Sequence, residues 1–347
     1  MHPQAPSPSF SPSSTRTSRR SPSDLTTRRR VLRAGTALCL APLAAHLHAE
    51  NYPSRVVTIV VPFGAGNAYD TMARHLADRL RDAMAQPFIV ESRQGVLGGV
   101  AASYVARAKP DGYTLLFGAN STHAANVHLF KKLSYDPVAD FAPVTTIATI
   151  PQVLVVSPTL GVNTLQELIA LARSRPGKLN YGSSSATGRI AAEAFRQQAK
   201  IDAVHVPYKT SAQAITDLAG GQLHVLVTDA GLGVAQAQGG RVKVLGVTSA
   251  QRVPAIPDIP TIAEAGLPGY EFTAWLAIFA PAQTPEPVVK LLSSKINAIV
   301  RDPGMQEHLA RLYALPLPGT PQSLRELAAR DTARWGELVK AAGIEAE

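Results

Sequence analysis

Along residues 52–347, short apolar runs alternate with segments whose apolar positions recur every three to four residues. Val56 to Val61 is an unbroken β-branched run, the mark of a strand buried on both faces. Met72, Leu76, Leu80 and Met84 then return every four residues, with Ala73 and Ala77 beside them, which predicts one apolar helix face. Phe88 to Val90 reads as a short strand and Gly95 to Tyr104 as a helix opening on small residues. Tyr113 to Phe117 reads as a strand after the Asp111-Gly112 turn. The pattern restarts after Ile150. Strands are expected at Val153–Val156, Val204–Val206, Leu223–Val227, Val242–Val247 and Leu276–Ala280. Helices are expected at Thr164–Ser174, Ile190–Ala199, Ala212–Leu218, Pro287–Val300 and Leu324–Ala342, the first capped by Asn163 or Thr164. This alternation predicts an α/β fold with a mostly parallel sheet covered on both faces. Two similar units joined by crossovers fit it, with the C-terminal helices returning to the first.

The first 49 residues follow another pattern. Residues 1–24 are Ser/Pro-rich without apolar periodicity and read as disordered. Arg28, Arg29, Arg30 and Arg33 then precede an apolar stretch from Ala34 to Leu47, with small Ala49 beyond it. A basic segment, an apolar stretch too short to span a bilayer and a small residue make a secretory signal. Arg28-Arg29 with Val31-Leu32 resembles a twin-arginine signal; an arginine-rich Sec signal is the other reading. Either predicts a periplasmic mature protein.

Charge changes meaning once the leader is set aside. The 347-residue chain carries 34 Lys plus Arg against 25 Asp plus Glu, a formal +9. Removing the leader's seven arginines and single acid leaves 27 against 24, a net +3 with no basic run. That distribution gives no electrostatic footprint for nucleic acid. The one cysteine, Cys39, lies in the leader, so neither a disulfide framework nor a multi-cysteine zinc site is available.

Candidate chemistry gathers in strand-to-helix loops. In open α/β sheets these face a crevice, and helix N-termini offer amide donors. Three loops qualify. Phe63 to Asp70 carries Gly66, Asn67, Ala68 and Tyr69, and is neither a Walker loop nor a good Rossmann fingerprint. Asn120-Ser121-Thr122 follows the Tyr113–Phe117 strand, and Ser183 and Ser184 precede a helix that begins near Arg189. Hydroxyls and backbone N–H groups can hold a carboxylate without a buried counter-charge. A cation such as Arg189 near a helix start opposes the helix dipole, so it calls for a compensating partner. Asp229, closing the Leu223–Val227 strand, can act as a base or accept a hydrogen bond from a ligand. Trp275 can stack on a ligand or pack.

Catalytic patterns are weak. Ser183-Ser184-Ser185 misses the Gly-x-Ser-x-Gly elbow. His75, His123, His128, His205, His224 and His308 lack zinc-ligand spacing, and His205 and His224 read as structural. No metal and no cofactor is expected. A secreted serine hydrolase would need a histidine within hydrogen-bond reach of one of the three serines.

The assembled motifs resemble the solute receptors of the tripartite tricarboxylate transporter family, the TctC-like or Bug proteins. They run from Val60-Val61-Pro62-Phe63 through Pro110-Asp111-Gly112-Tyr113 and Tyr135-Asp136-Pro137 to Pro176-Gly177-Lys178-Leu179-Asn180-Tyr181-Gly182. Val206-Pro207-Tyr208-Lys209, Pro257-Asp258-Ile259-Pro260-Thr261 and Phe279-Ala280-Pro281 complete the order. The resemblance implies a two-lobed, type II periplasmic-binding-protein fold with a ligand cleft between lobes. Lobe one would span 52–150 and 275–347, and lobe two 151–274. It implies a monomeric, non-enzymatic receptor that captures a small carboxylate (amino acid, dicarboxylate or aromatic acid) by lobe closure and delivers it to a membrane permease. A signalling partner in place of the permease is the alternative. Ligand contacts would fall on Phe63–Asp70, Asn120–Thr122, Ser183, Ser184 and Asp229. Tyr69 and Arg189 depart from the family pattern. They suggest stacking on an aromatic acid, or pairing of Arg189 with a distal carboxylate.

Overall fold

The computed structural model describes residues 52–62, 64 and 68–346; the leader and its export signal, and Phe63, Gly66 and Asn67 of the first loop, lie outside the described residues. The chain opens with β1 (Val57–Val61), α1 (Ala68–Met84), β2 (Phe88–Ser92), α2 (Gly99–Ala106) and β3 (Thr114–Ala119). A wide turn at Ser121–Ala125 and the single-turn α3 (Asn126–Leu129) lead to β4 (Phe141–Val156). Next come α4 (Leu165–Ser174), β5 (Leu179–Ser183), α5 (Ala186–Gln198), β6 (Ala203–Pro207), α6 (Ser211–Gly220), β7 (Val225–Asp229), α7 (Ala230–Gln238) and β8 (Lys243–Val247). The chain closes with β9 (Thr273–Pro281), α8 (Glu286–Arg301), α9 (Pro303–Arg311), β10 (Leu315–Pro316) and α10 (Pro321–Ala341).

The strand order is β2-β1-β3-β9-β4-β7-β5-β6, with β8 and β10 also paired to β4. β4 explains the two-lobed α/β architecture. Its first part, Phe141–Pro151, pairs with β9 in one sheet, and its last part, Gln152–Val156, pairs with β7 and β8 in the other. A single 16-residue strand therefore feeds both lobes. The sequence pattern does not restart after Ile150, because Ile150 lies inside this strand.

The sheet is mixed rather than mostly parallel. β1 is parallel to β2 and β3, and β5 to β6 and β7, but β9 runs against β3 and β4, and β4 against β7 and β8. An apolar run buried on both faces looks the same whichever way its neighbours point, so composition does not encode direction. Helices α7 and α9 were not expected. α7 is rich in Ala, Gly and Gln and presents little apolar periodicity.

Local chemistry fixes the helix starts. Thr164 Oγ1 accepts from the Glu167 backbone N–H at 3.1 Å, which settles the α4 cap on Thr164. Ser185 caps α5 through the Gly188 N–H at 3.0 Å, so that helix begins four residues before the expected Ile190. The α1 stripe of Met72, Ala73, Leu76, Ala77 and Leu80 is buried as its spacing predicts. Each such leucine contributes about 1.5–3 kcal/mol.

Candidate functional site

The first loop delivers Ala68 and Tyr69 to the start of α1. Asp70, in its first turn, is buried and accepts from Arg74 Nε at 2.9 Å, one turn along the same helix. A carboxylate there also complements the helix dipole, so Asp70 serves α1 itself. Tyr69 packs against the first-lobe core. Burial, and then the Asp229 carboxylate, push its phenol above the ordinary range. Tyr69 from one lobe thus senses Asp229 from the other.

The second loop follows β3. Asn120 is 2% exposed and its Nδ2 has no hydrogen-bond partner; Ser121 Oγ is likewise buried and unpaired. Leaving such a donor unsatisfied costs about 1–3 kcal/mol. Thr122 is different. Its hydroxyl accepts from the Ala119 N–H at 3.1 Å, donates to the Ala119 carbonyl at 2.9 Å and meets His123 Nδ1 at 2.9 Å. The Thr122 side chain is therefore spent on holding the loop. His123 stacks on Phe279 with centroids 3.5 Å apart, and burial pushes its pKa down to about 3, so the ring is neutral. Gly98, at φ +85°, completes the support: a Cβ there would meet Thr122 Cγ2 at 2.8 Å and Pro62 Cβ at 2.9 Å. The Leu97-Gly98 turn thus rests on both first-lobe loops.

In the second lobe, the β4–β7 register sets Gln152 opposite Asp229. Gln152 is 4% exposed and its Oε1 is unpaired. Gly188 on α5 lies close to both strands: its Cβ would sit 2.9 Å from the Val227 carbonyl and 3.9 Å from Gln152 Oε1. Asp229 keeps solvent access, yet surrounding protein lifts its carboxyl above the ordinary range. That combination suits the wall of a cleft.

Ser183, Ser184 and Arg189 gather at the end of β5 and the start of α5. They line a cavity of about 390 Å³ together with Ser185, His205, Tyr208 and first-lobe Leu97 and Phe130. Neither Tyr69, Asn120 nor Asp229 belongs to that lining. Ser183 Oγ lies 2.8 Å from His205 Nε2, and Ser184 Oγ lies 2.7 Å from Ser211 Oγ. Among the described residues Arg189 forms no ion pair; its guanidinium Nη2 makes one long contact of 3.5 Å to the Ala342 carbonyl. The compensating partner expected for Arg189 is thus absent among the described residues.

His205 and Gln152 were not singled out as site residues. His205 occupies β6, one strand over from Ser183, and only the β5–β6 pairing reveals the proximity. His224 is structural, its Nδ1 accepting from the Asn180 N–H at 2.8 Å. Trp275 packs: it is buried and donates to Asp331 Oδ2 at 2.6 Å. The Ser183–His205 contact meets the first requirement of a hydrolase. The remainder of a triad does not follow, since among the described residues no carboxylate hydrogen-bonds His205.

Comparison with known proteins places these observations. Residues 72–344 match the model of TctC, described as tripartite tricarboxylate transporter family receptor. The chain is similar to the R. palustris protein Rpa4515 with adipate, at 38% identity and TM-score 0.74, over 85% of this chain and 100% of that one. It is similar to MatC from Rhodopseudomonas palustris with bound malate, at 33% identity and TM-score 0.68, over 83% of this chain and 100% of that one. It is also similar to the periplasmic binding protein BugD, at 31% identity and TM-score 0.69, over 85% of this chain and 100% of that one.

Proposed function

The chain belongs to the tripartite tricarboxylate transporter receptor family, and on that premise we propose that it captures a small carboxylate between its lobes in the periplasm. The observation that carries the reading is Asn120. Its Nδ2 and the Oγ of the next residue, Ser121, are both buried and unpaired, and a ligand carboxylate would satisfy both. Tyr69 and Asp229 supply the facing walls, and the α5 start adds its N-terminal dipole. Adipate and malate in the two R. palustris relatives support the ligand class. Lobe one takes residues 52–150 and 275–347, and lobe two 151–274. The leader exports the chain, by the Sec or the twin-arginine route. The loaded receptor, a monomer, then engages a permease of the tripartite tricarboxylate type. It performs no chemistry on its cargo.

The test is a thermal-shift screen of receptor expressed with its leader and recovered from the periplasm, against mono-, di-, tri- and aromatic carboxylates. A ligand at one hundred times its Kd stabilises the folded state by about 2.7 kcal/mol. For a folded body of this size, with an unfolding entropy of about 0.6 kcal/mol/K, that raises Tm by roughly 4 °C. Absence of any concentration-dependent shift across the panel would refute the reading. The Ser183–His205 contact keeps a hydrolase as the second reading. Its test is covalent labelling by a fluorophosphonate, with Ser183→Ala as the control.

A further inference from the structure

Helix α2 is apolar on two opposite sides. Ala101, Ala102 and Val105 pack into the core, while Val100 and Tyr104 face outward, 48% and 40% exposed. None of its eight residues is charged. A helix that is apolar all round is one covered all round, and α2 is covered on one side only. Helix α1 shows the ordinary arrangement, with charged Arg74, Asp78 and Arg81 on its exposed face. Beside the outer side of α2 runs a groove of about 540 Å³, lined by Phe130 and Leu133 as well as Val100 and Tyr104. Its charged lining is cationic: Arg107 and Lys132, with no carboxylate among the described residues. Arg107 closes α2, and its Nη2 donates to the Ser134 carbonyl at 3.2 Å. Arg93 lies over the Tyr104 ring, 3.5 Å from its centroid, and pairs with Glu91 at 2.7 Å. The acids that follow along the chain, Asp136 and Asp140, accept from backbone N–H groups of their own loop.

We infer that the outer face of α2 and its groove dock the protein on an anionic lipid surface. Val100, Tyr104, Phe130 and Leu133 enter the boundary between headgroups and acyl chains, and Arg93, Arg107 and Lys132 meet the lipid phosphates around them. A tyrosine suits that depth, because its ring is apolar and its hydroxyl stays wet. A small soluble ligand in the groove would leave the outward sides of Val100 and Tyr104 in water, whereas a bilayer surface covers helix face and groove together. Each cation beside a charged bilayer strengthens attachment about fivefold, so three of them hold the protein reversibly. Attachment confines the receptor to the plane in which a permease sits. That consequence rests on the transport reading above; the lipid contact itself does not.

The test is flotation of the receptor, expressed with its leader and recovered from the periplasm, on phosphatidylcholine vesicles with and without phosphatidylglycerol. The expected result is binding to the anionic vesicles that weakens as salt rises and is about tenfold or more weaker on the neutral ones. Arg107→Gln with Lys132→Gln removes two charges and weakens binding about twentyfold. Val100→Ser with Tyr104→Gln, at exposed positions where folding tolerates substitution, weakens it about tenfold and leaves the salt dependence in place. Both double variants keep the carboxylate-dependent thermal shift of the parent. The inference is overturned if anionic vesicles are not bound, if both kinds of vesicle bind alike, or if both double substitutions leave binding unchanged; an acidic protein segment is then the occupant that the groove fits. Thermal shifts that persist through those failures would leave the central-cleft reading intact, and vesicle binding without any thermal shift would overturn that reading alone.

Discussion

His123 couples the candidate site to acid stability. The ring is 2% exposed, stacked on Phe279 and edged by Phe141 at 4.7 Å, one residue beyond Thr122. Burial holds its pKa at about 3 against an ordinary 6.5. The folded state therefore disfavours the proton that the unfolded chain takes up below pH 6.5. Its contribution to stability is complete above that pH and is lost progressively as pH falls towards 3. One proton taken up on unfolding costs about 1.4 kcal/mol per pH unit. Between pH 6.5 and 5 the loss from this ring alone is thus about 2 kcal/mol. His123→Phe keeps an aromatic ring on Phe279 and removes the titration, at a cost near 1 kcal/mol for the lost Thr122 contact. Urea melts of both proteins from pH 7.5 to 5 separate the two effects. His75, His205, His224 and His308 also have lowered values, but they are common to both proteins and cancel. The variant is expected to lose about 2 kcal/mol less across that range. An unchanged pH slope would refute the assignment of a neutral, buried His123. Because the folded ring stays neutral down to about pH 3, the Asn120 loop that Thr122 and His123 hold should keep its ligand affinity over the same interval in the wild type.

Further outcomes follow from the geometry. Gly98→Ala forces a Cβ against Thr122 and Pro62 from a left-handed backbone; it should cost about 1–3 kcal/mol and weaken carboxylate binding, read by urea melts and titration. Asp331→Leu leaves the buried Trp275 indole N–H without its acceptor and should cost about 1–3 kcal/mol, whereas Asp331→Asn retains an acceptor and should stay within about 1 kcal/mol; tryptophan fluorescence melts distinguish them. Leu76→Ala, at a fully buried position of the α1 stripe, should cost about 2–5 kcal/mol in a denaturant titration without altering ligand specificity. Asn120→Leu should remove the unpaired donor, raise stability of the unliganded protein and abolish carboxylate-dependent thermal shifts.

The lobes depend on β4 in a way that bears on closure. Its first part is held by β9 and its last part by β7 and β8. Register shifts interrupt the β9 pairing between Pro143 and Thr145 and between Thr146 and Ala148, and the β8 pairing between Leu154 and Val155. A strand that leaves one sheet for another needs such irregularities to bend. Trp275 pairs opposite Thr149 on this shared strand and is tied to α10 through Asp331. Its packing role therefore lies at the junction of the lobes.

Much was legible from the sequence by itself. Local periodicity gave the α1 stripe from Met72 to Leu80, because a 3.6-residue helix must bury what recurs at that interval. The motif order gave the family and the two-lobed α/β fold, and loop chemistry pointed to the serines and Asn120 as candidates. The tertiary structure decided the rest. Strand direction, the continuity of β4 through Ile150 and the antiparallel placing of β9 depend on which strands pair, and a doubly buried strand carries no mark of its neighbour. The gathering of the serines and Arg189 in one cavity with Leu97 and Phe130 also arose there. So did the meeting of Ser183 with His205, 22 residues apart along the chain and 2.8 Å apart in space. Periodicity reports which face of an element is buried; only packing brings side chains from distant elements within hydrogen-bond range and sets the burial that decides whether His123 and Asp229 carry charge.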